Sequence, residues 1–143
     1  MTENNSAMTL KDKLAAQRIY MLLGALFITS LVVSNLIFQK FFYWYPFDVE
    51  VFGSKLFVIS VGVLPYPITF LITDLISEIY GKKRAKQVVV AGIFASLFSV
   101  LIVYVADLVP ATADSPIDDG LFKKVFGRTI LEVGASMTAY LFA

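Results

Sequence analysis

The feature that most constrains this chain is an uncharged apolar run from residue 19 to residue 38. A helix of that length covers about 30 Å, which is the hydrocarbon thickness of a bilayer. Two more apolar stretches follow at residues 56–80 and 87–109, and another begins at residue 129. The pattern predicts an all-α fold, a polytopic transmembrane helix bundle with three complete spans and part of a fourth.

Composition also indicates a chain that is solvated mainly by lipid. Apolar residues make up 58% of the sequence and charged residues 16%, against about 45–50% and about 25% in average soluble chains. These values exclude a disordered chain, a basic nucleic-acid-binding domain and an enzyme with a charged surface. We therefore expect the lipid bilayer as a partner and no nucleic acid.

The chain contains neither cysteine nor histidine. Thiolate zinc sites, histidine metal ligands and a Ser-His-Asp triad are all impossible without these residues. We expect no metal, no cofactor and no enzymatic activity.

The domain organisation follows from the same pattern. Residues 1–18 form a polar N-terminal segment without a signal-peptide cleavage site, and residues 19–143 form the transmembrane domain. The last apolar stretch, 129–143, is shorter than the ~20 residues that a crossing needs. We expect a truncated chain that lacks C-terminal helices or completes its bundle as a homo-oligomer.

Basic residues are divided unevenly between the loops. Seven of the twelve fall on one side: Lys11, Lys13, Arg18, Lys82, Lys83, Arg84 and Lys86. Because short loops rich in Lys and Arg stay cytoplasmic, the N terminus and the 82–86 loop are predicted to face the cytoplasm of an inner-membrane protein. Residues 40–55 and 110–128 then face outward, with an aromatic belt at 41–45. Apolar and polar residues alternate around Gly53, which predicts a short hairpin there; the alternative is a plain loop.

The second apolar stretch contains a predicted helix break at Gly62, Pro65 and Pro67. The two prolines remove two backbone donors, and such a break is tolerated in a bilayer only where protein buries it or where it lines a wet cavity. Transporters use interrupted helices of this kind to build solute sites. The alternative is a simple proline kink in a packed helix.

A polar stripe follows the break, with spacings of three and four residues: Thr69, Thr73, Asp74, Ser77 and Glu78. An aspartate deep in a membrane helix costs about 2.5–3.5 kcal/mol. Asp74 is therefore expected to face the bundle interior and to have a functional role. For Glu78 we favour an interfacial ion pair with Lys82.

Two positions outside the second span are also polar. Asn35, in the first span, is either an interhelical hydrogen-bonding group or a ligand contact. Near the outer surface, Arg128 and Glu132 have the i,i+4 spacing of a self-neutralising pair.

The strings Val33-Ser-Asn35 and Tyr66-Pro-Ile-Thr-Phe through Glu78-Ile-Tyr-Gly-Lys-Lys resemble the queuosine precursor transporter family. These integral membrane proteins are also grouped as vitamin-uptake transporters. The resemblance implies a six-helix inner-membrane protein that imports 7-deazaguanine precursors of the tRNA base queuosine. It also makes a small planar heterocyclic solute the expected partner.

The resemblance and the polar stripe together suggest a set of solute-binding residues: Asn35, Tyr66, Thr69, Phe70, Thr73, Asp74 and Glu78. Asp74 or Glu78 would accept hydrogen bonds from the ring N–H and exocyclic amine of the base. Asn35 would contact its carbonyl edge, and Tyr66 and Phe70 would cover its faces.

Three other functions remain open. The first is a substrate-binding subunit of an ATP-driven vitamin uptake system, with the ATPase as a partner because the chain has no nucleotide-binding loop. The second is an intramembrane enzyme that uses Asp74 and Glu78 as acid and base, although no nucleophile accompanies them. The third is a scaffold protein.

Overall fold

The computed structural model describes residues 10–43 and 58–142. In chain order the elements are α1 (Leu10–Ile37), β1 (Phe41–Tyr43), β2 (Val58–Ser60), a 3₁₀ turn (Val61–Val63), α2 (Tyr66–Tyr80), α3 (Lys82–Leu108), α4 (Asp119–Phe126) and α5 (Thr129–Phe142). Helices α1, α2 and α3 pack against one another, and α5 packs mainly on α3.

The predicted all-α membrane class is confirmed. Three segments are long and apolar enough to cross a bilayer: Leu10–Ile37, Val61–Tyr80 and Lys82–Leu108. Large apolar side chains on α3 point outward, with Phe94 71% exposed. A lipid-facing exterior of this kind is expected, since lipid tails solvate apolar side chains as well as a protein core does.

The core of the bundle combines apolar and small polar side chains. Its buried apolar residues are Phe27, Leu31, Ile72, Ile76, Ala85, Val88 and Val133. Its buried polar residues are Ser30, Ser34, Asn35, Thr69, Ser96 and Thr129. Small and hydroxyl-bearing residues let membrane helices approach closely, so that van der Waals packing and interhelical hydrogen bonds hold them together.

The helices do not begin where the apolar runs begin. Helix α1 starts at Leu10, within the polar N-terminal segment, and α3 starts at Lys82. Gly81 has a φ of 84°, a conformation that glycine adopts without steric cost. It ends α2 at Tyr80, and its carbonyl accepts hydrogen bonds from the backbone N–H groups of Arg84 and Ala85 in α3.

A pair of tyrosines joins the helices at this end of the bundle. The hydroxyl of Tyr80 donates to the carbonyl of Ala16 at 2.8 Å, and that of Tyr20 donates to the carbonyl of Arg84 at 3.2 Å. The two ring centroids are 5.3 Å apart, and the Arg84 guanidinium lies 5.2 Å from the Tyr20 ring. These contacts fix the start of α3 against α1.

The opposite end of the bundle carries the strands and α4. Strands β1 and β2 pair antiparallel, with Phe41 opposite Ser60 and Tyr43 opposite Val58. The predicted turn around Gly53 lies outside the described residues, as do the last two residues of the 41–45 aromatic run. Helix α4 was not predicted from the sequence. Its N-cap, Asp118, accepts a hydrogen bond from the backbone N–H of Leu121 at 2.6 Å.

Gly92 sets the distance between α1 and α3. A Cβ at this position would lie 2.7 Å from Cε1 of Phe27 and 3.1 Å from Cδ2 of Leu31. We expect Gly92→Ala to lower the free energy of unfolding by about 1–2 kcal/mol, because the fully buried Phe27 ring cannot turn away. The matched control is Gly24→Ala, whose Cβ would make an ordinary 3.5 Å contact with Val88. Thermal unfolding in detergent measures both variants; equal losses would contradict the prediction.

Candidate functional site

The second apolar stretch is not a continuous helix. Strand β2 and the 3₁₀ turn come first, Pro65 is the N-cap of α2, and Pro67 lies in its first turn. The first backbone N–H groups of a helix have no intrahelical partner, so a proline there removes nothing that the helix uses. Instead of kinking a long helix, the two prolines start a short one.

The backbone of the 3₁₀ turn lies directly against α1 at Gly62. The hydroxyl of Ser34 donates to the Gly62 carbonyl, and the Gly62 N–H donates to the Ser60 hydroxyl at 3.1 Å. The N–H of Val61 donates to the carbonyl of Lys40 at 2.7 Å. A side chain has no room here: a Cβ on Gly62 would lie 2.8 Å from the Ser34 carbonyl oxygen and 2.9 Å from Cα of Phe38.

A cleft of about 330 Å³ opens beside this break. It is lined by Ser34, Asn35, Phe38, Phe41, Ser60, Gly62, Val63, Tyr66, Glu132 and Val133. Phe38 lies in the turn after α1, and the others come from α1, β1, β2, the 3₁₀ turn, α2 and α5. The volume falls in the roughly 300–1,000 Å³ range of small-molecule sites, and a mainly apolar wall with a few polar groups is also typical of them.

Asn35 links the cleft to the helix packing. It is buried, and its amide nitrogen donates to the hydroxyl of Ser96 on α3 at 3.3 Å. One N–H serves as an interhelical hydrogen bond, which was one of the two roles considered for this residue. An asparagine amide also carries a second N–H and a carbonyl oxygen, and the side chain lines the cleft.

The structure brings only part of the predicted site to the cleft. Asn35 and Tyr66 line it, whereas Thr69 is 1% exposed and packs in the core. The hydroxyl of Thr69 donates to the Tyr66 carbonyl at 2.7 Å, and that of Thr73 donates to the Phe70 carbonyl at 2.8 Å. Both threonines thus bond within α2. Phe70 is exposed, with its ring 6.4 Å from that of Tyr66.

The expected burial of Asp74 is wrong for the part of the chain that the structure describes, where its side chain is exposed. The core-facing side of α2 is formed by Thr69, Ile72 and Ile76. At about 100° per residue, Asp74 lies roughly 140° around the helix from Thr69. It is also about 12 Å along the helix from Tyr66. The polar stripe is therefore broad, and its threonines and carboxylates belong to different faces.

The expected pair between Glu78 and Lys82 is also wrong for this structure. The i,i+4 geometry needs both residues on one helix, but Gly81 ends α2 and Lys82 begins α3. Both side chains are exposed, and among the described residues neither forms an ion pair.

Sequence reasoning missed Glu132, the one carboxylate lining the cleft among the described residues. It lies in the first turn of α5 and also borders a second pocket of about 430 Å³. The second pocket is lined by Phe38, Gln39, Phe41, Lys123, Lys124, Arg128 and Glu132. A signal was present in the sequence, since Glu132 is an acidic residue in an apolar stretch, but its i,i+4 spacing from Arg128 suggested a surface pair.

These features define a polytopic helical membrane protein with a mainly apolar cleft, carrying a few polar groups, at an interrupted span. The family model described as "Putative vitamin uptake transporter" matches residues 60–143, and the chain belongs to this family. The matched region covers the 3₁₀ turn, α2 and Glu132. No curated protein and no solved structure matches the chain. The expected resemblance to vitamin-uptake transporters is therefore confirmed.

Proposed function

We propose that this protein imports a small planar heterocycle of the 7-deazaguanine class, the precursors of queuosine, and binds it in the cleft beside the helix break. The observation that carries this proposal is the joint presence of Asn35 and Tyr66 in that cleft, with the phenyl groups of Phe38 and Phe41 beside them. Aromatic rings cover planar solutes by offset or edge-to-face contact. The amide supplies a donor and an acceptor for the carbonyl edge of the base.

The orientation of the bundle supports import. The cleft lies at the end that carries β1, β2 and the start of α5, away from the first turns of α1 and of α3. The first turns of α1 and α3 carry the basic residues Lys11, Lys13, Lys82, Lys83, Arg84 and Lys86. Because Lys and Arg at the ends of membrane spans stay cytoplasmic, we infer that the N terminus is cytoplasmic and that the cleft opens to the outside of an inner membrane. A solute would then reach Asn35 and Tyr66 from outside.

Uptake of radiolabelled 7-deazaguanine precursor tests the proposal. The protein is produced in a strain that cannot make the precursor, and accumulation is compared with the empty vector. Accumulation that is competed by unlabelled precursor and not by adenine supports the proposal, whereas none at normal membrane abundance refutes it. Reconstitution in vesicles without any ATPase separates a self-sufficient transporter from a subunit of an ATP-driven system.

We further propose that Asp74 and Glu78 contact the solute on the cytoplasmic part of its path. Both are exposed on α2. An aspartate within a membrane helix needs polar neighbours or water around it, because its insertion costs about 2.5–3.5 kcal/mol. A polar face on α2 below Tyr66 would form one wall of a route from the cleft to the cytoplasm. Thr69, Phe70 and Thr73 belong to the same helix. Their proposed role is to maintain the shape of α2 along this route.

We expect Asp74→Asn to reduce the rate of precursor uptake about tenfold or more, which corresponds to the loss of roughly 1.4 kcal/mol of interaction. Asp107→Asn, at the far end of α3, is the matched control and is expected to transport like the wild type. Initial uptake rates, normalised to protein in the membrane, measure the effect. An undiminished rate for Asp74→Asn would remove Asp74 from the proposal.

A further inference from the structure

The side chain of Glu132 stands where the two pockets meet. On one side it lines the cleft with Asn35 and Tyr66, and on the other it lines the pocket that contains Lys123, Lys124 and Arg128. Phe38 and Phe41 also border both pockets, so the two form adjoining spaces. A solute that enters the cleft through the basic pocket must pass Glu132.

A carboxylate at this position has a defined hydrogen-bonding character. It is an acceptor only, with two oxygens that can receive two parallel N–H groups. The other polar side chains of the cleft are one amide and hydroxyl groups: Ser34, Asn35, Ser60 and Tyr66. Ser34 and Ser60 already donate to backbone carbonyls. Glu132 is therefore the strongest acceptor that the described part of the cleft offers to a ligand.

We propose that Glu132 is the specificity-determining residue of the cleft and that it selects solutes with two adjacent N–H donors on one edge. The ring N–H and exocyclic amine of a guanine-like heterocycle form such an edge. The inference rests on the proposed function, because it requires the heterocycle to occupy this cleft. It makes Glu132 on α5 the partner of the solute's donor-rich edge, whereas the sequence suggested Asp74 or Glu78 on α2 for this contact.

Charge in the adjoining pocket narrows the ligand class further. Three basic side chains, Lys123, Lys124 and Arg128, line the adjoining pocket together with Glu132, and we take this pocket as the entrance to the cleft. Like charges in an entrance lower the local concentration of a solute of the same sign. The arrangement favours a neutral solute with a donor edge over a strongly cationic one, and Glu132 rather than net charge provides the selectivity.

Two solutes that differ by one group test the proposal: 7-deazaguanine, and 7-deazahypoxanthine, which lacks the exocyclic amine. Competition against labelled precursor gives an inhibition constant for each. In the wild type we expect 7-deazaguanine to compete about 10- to 100-fold better, since a hydrogen bond to a charged group is worth about one to two factors of ten. Glu132→Gln, which replaces one acceptor oxygen by a donor, is expected to reduce this ratio to about threefold or less.

Two further variants keep the proposal falsifiable. Glu132→Asp retains a carboxylate and is expected to keep part of the preference for 7-deazaguanine over 7-deazahypoxanthine. Asp114 is an exposed carboxylate in the loop between α3 and α4, and Asp114→Asn is expected to keep the whole preference. A wild-type ratio in Glu132→Gln with normal uptake would overturn the inference and leave the proposed function intact. Absence of competition by either solute in the wild type would overturn both.

Discussion

Replacing Gly62 with valine is expected to abolish uptake and to lower the free energy of unfolding by about 3 kcal/mol, the upper part of the range for overpacked sites. The reason is that a Cβ on Gly62 would meet backbone atoms at the end of α1: the carbonyl oxygen of Ser34, in its last turn, at 2.8 Å, and Cα of Phe38, which directly follows the helix, at 2.9 Å. Backbone atoms cannot rotate aside as the end of a side chain can. The 3₁₀ turn would have to move away from α1, and it forms one wall of the cleft.

The control for Gly62→Val is a glycine with free space around it. A Cβ on Gly134, in α5, would meet no atom within 4 Å, and replacing a helical glycine by alanine stabilises by roughly 0.5–1 kcal/mol. Gly134→Ala should therefore transport normally and unfold at the same temperature or higher. Thermal unfolding in detergent and initial uptake rates measure both variants. Wild-type stability in Gly62→Val would show that the turn does not need its close contact with α1.

The second large effect is expected at Asn35, which has two tasks that mutation can separate. Its amide bonds to Ser96 on α3, and its side chain also lines the cleft. Asn35→Ala removes both interactions. We expect uptake to fall about 100-fold while stability falls by only about 1 kcal/mol, the typical net worth of one hydrogen bond.

Ser96→Ala is the companion variant because it removes the interhelical bond and leaves the Asn35 amide in the cleft. We expect a similar loss of stability of about 1 kcal/mol and at most a threefold fall in uptake. Unfolding temperature and uptake rate are measured for both variants and for the double variant. If Ser96→Ala lost as much uptake as Asn35→Ala, Asn35 would act through helix packing alone and its contact with the solute would be refuted.

The sequence was sufficient to predict three segments that are long and apolar enough to cross a bilayer and to locate a kink or break in the second of them. Hydropathy over about 20 residues is a local property that bilayer thickness translates directly into a membrane helix. The chemistry of Pro65 and Pro67 is local as well, since each missing backbone donor favours a kink or a break, and the structure has a break there. Asn35 was proposed as a buried amide of the first span and Tyr66 as an aromatic residue beside the interruption, and the structure brings both to the cleft.

The sequence was insufficient where two faces of one helix had to be distinguished. Spacings of three and four residues placed Thr69 and Asp74 on one polar stripe, yet Thr69 is buried and Asp74 is exposed. A stripe on a helical wheel shows which residues are neighbours, but it does not show which side meets α1 and α3. The ion pair expected for Glu78 failed for a related reason, since the conformation of Gly81 separates two helices at that point.

The sequence by itself thus determined that this is a helical membrane protein, that three of its segments are long and apolar enough to cross a bilayer, and where the second of them is kinked or interrupted. Only the tertiary structure placed Glu132 of α5 in the same cleft as Asn35 of α1 and Tyr66 of α2. The physical reason is the range over which each property is set. Burial of an apolar span depends on consecutive residues, whereas a binding cleft depends on the packing of helices that are distant in the chain.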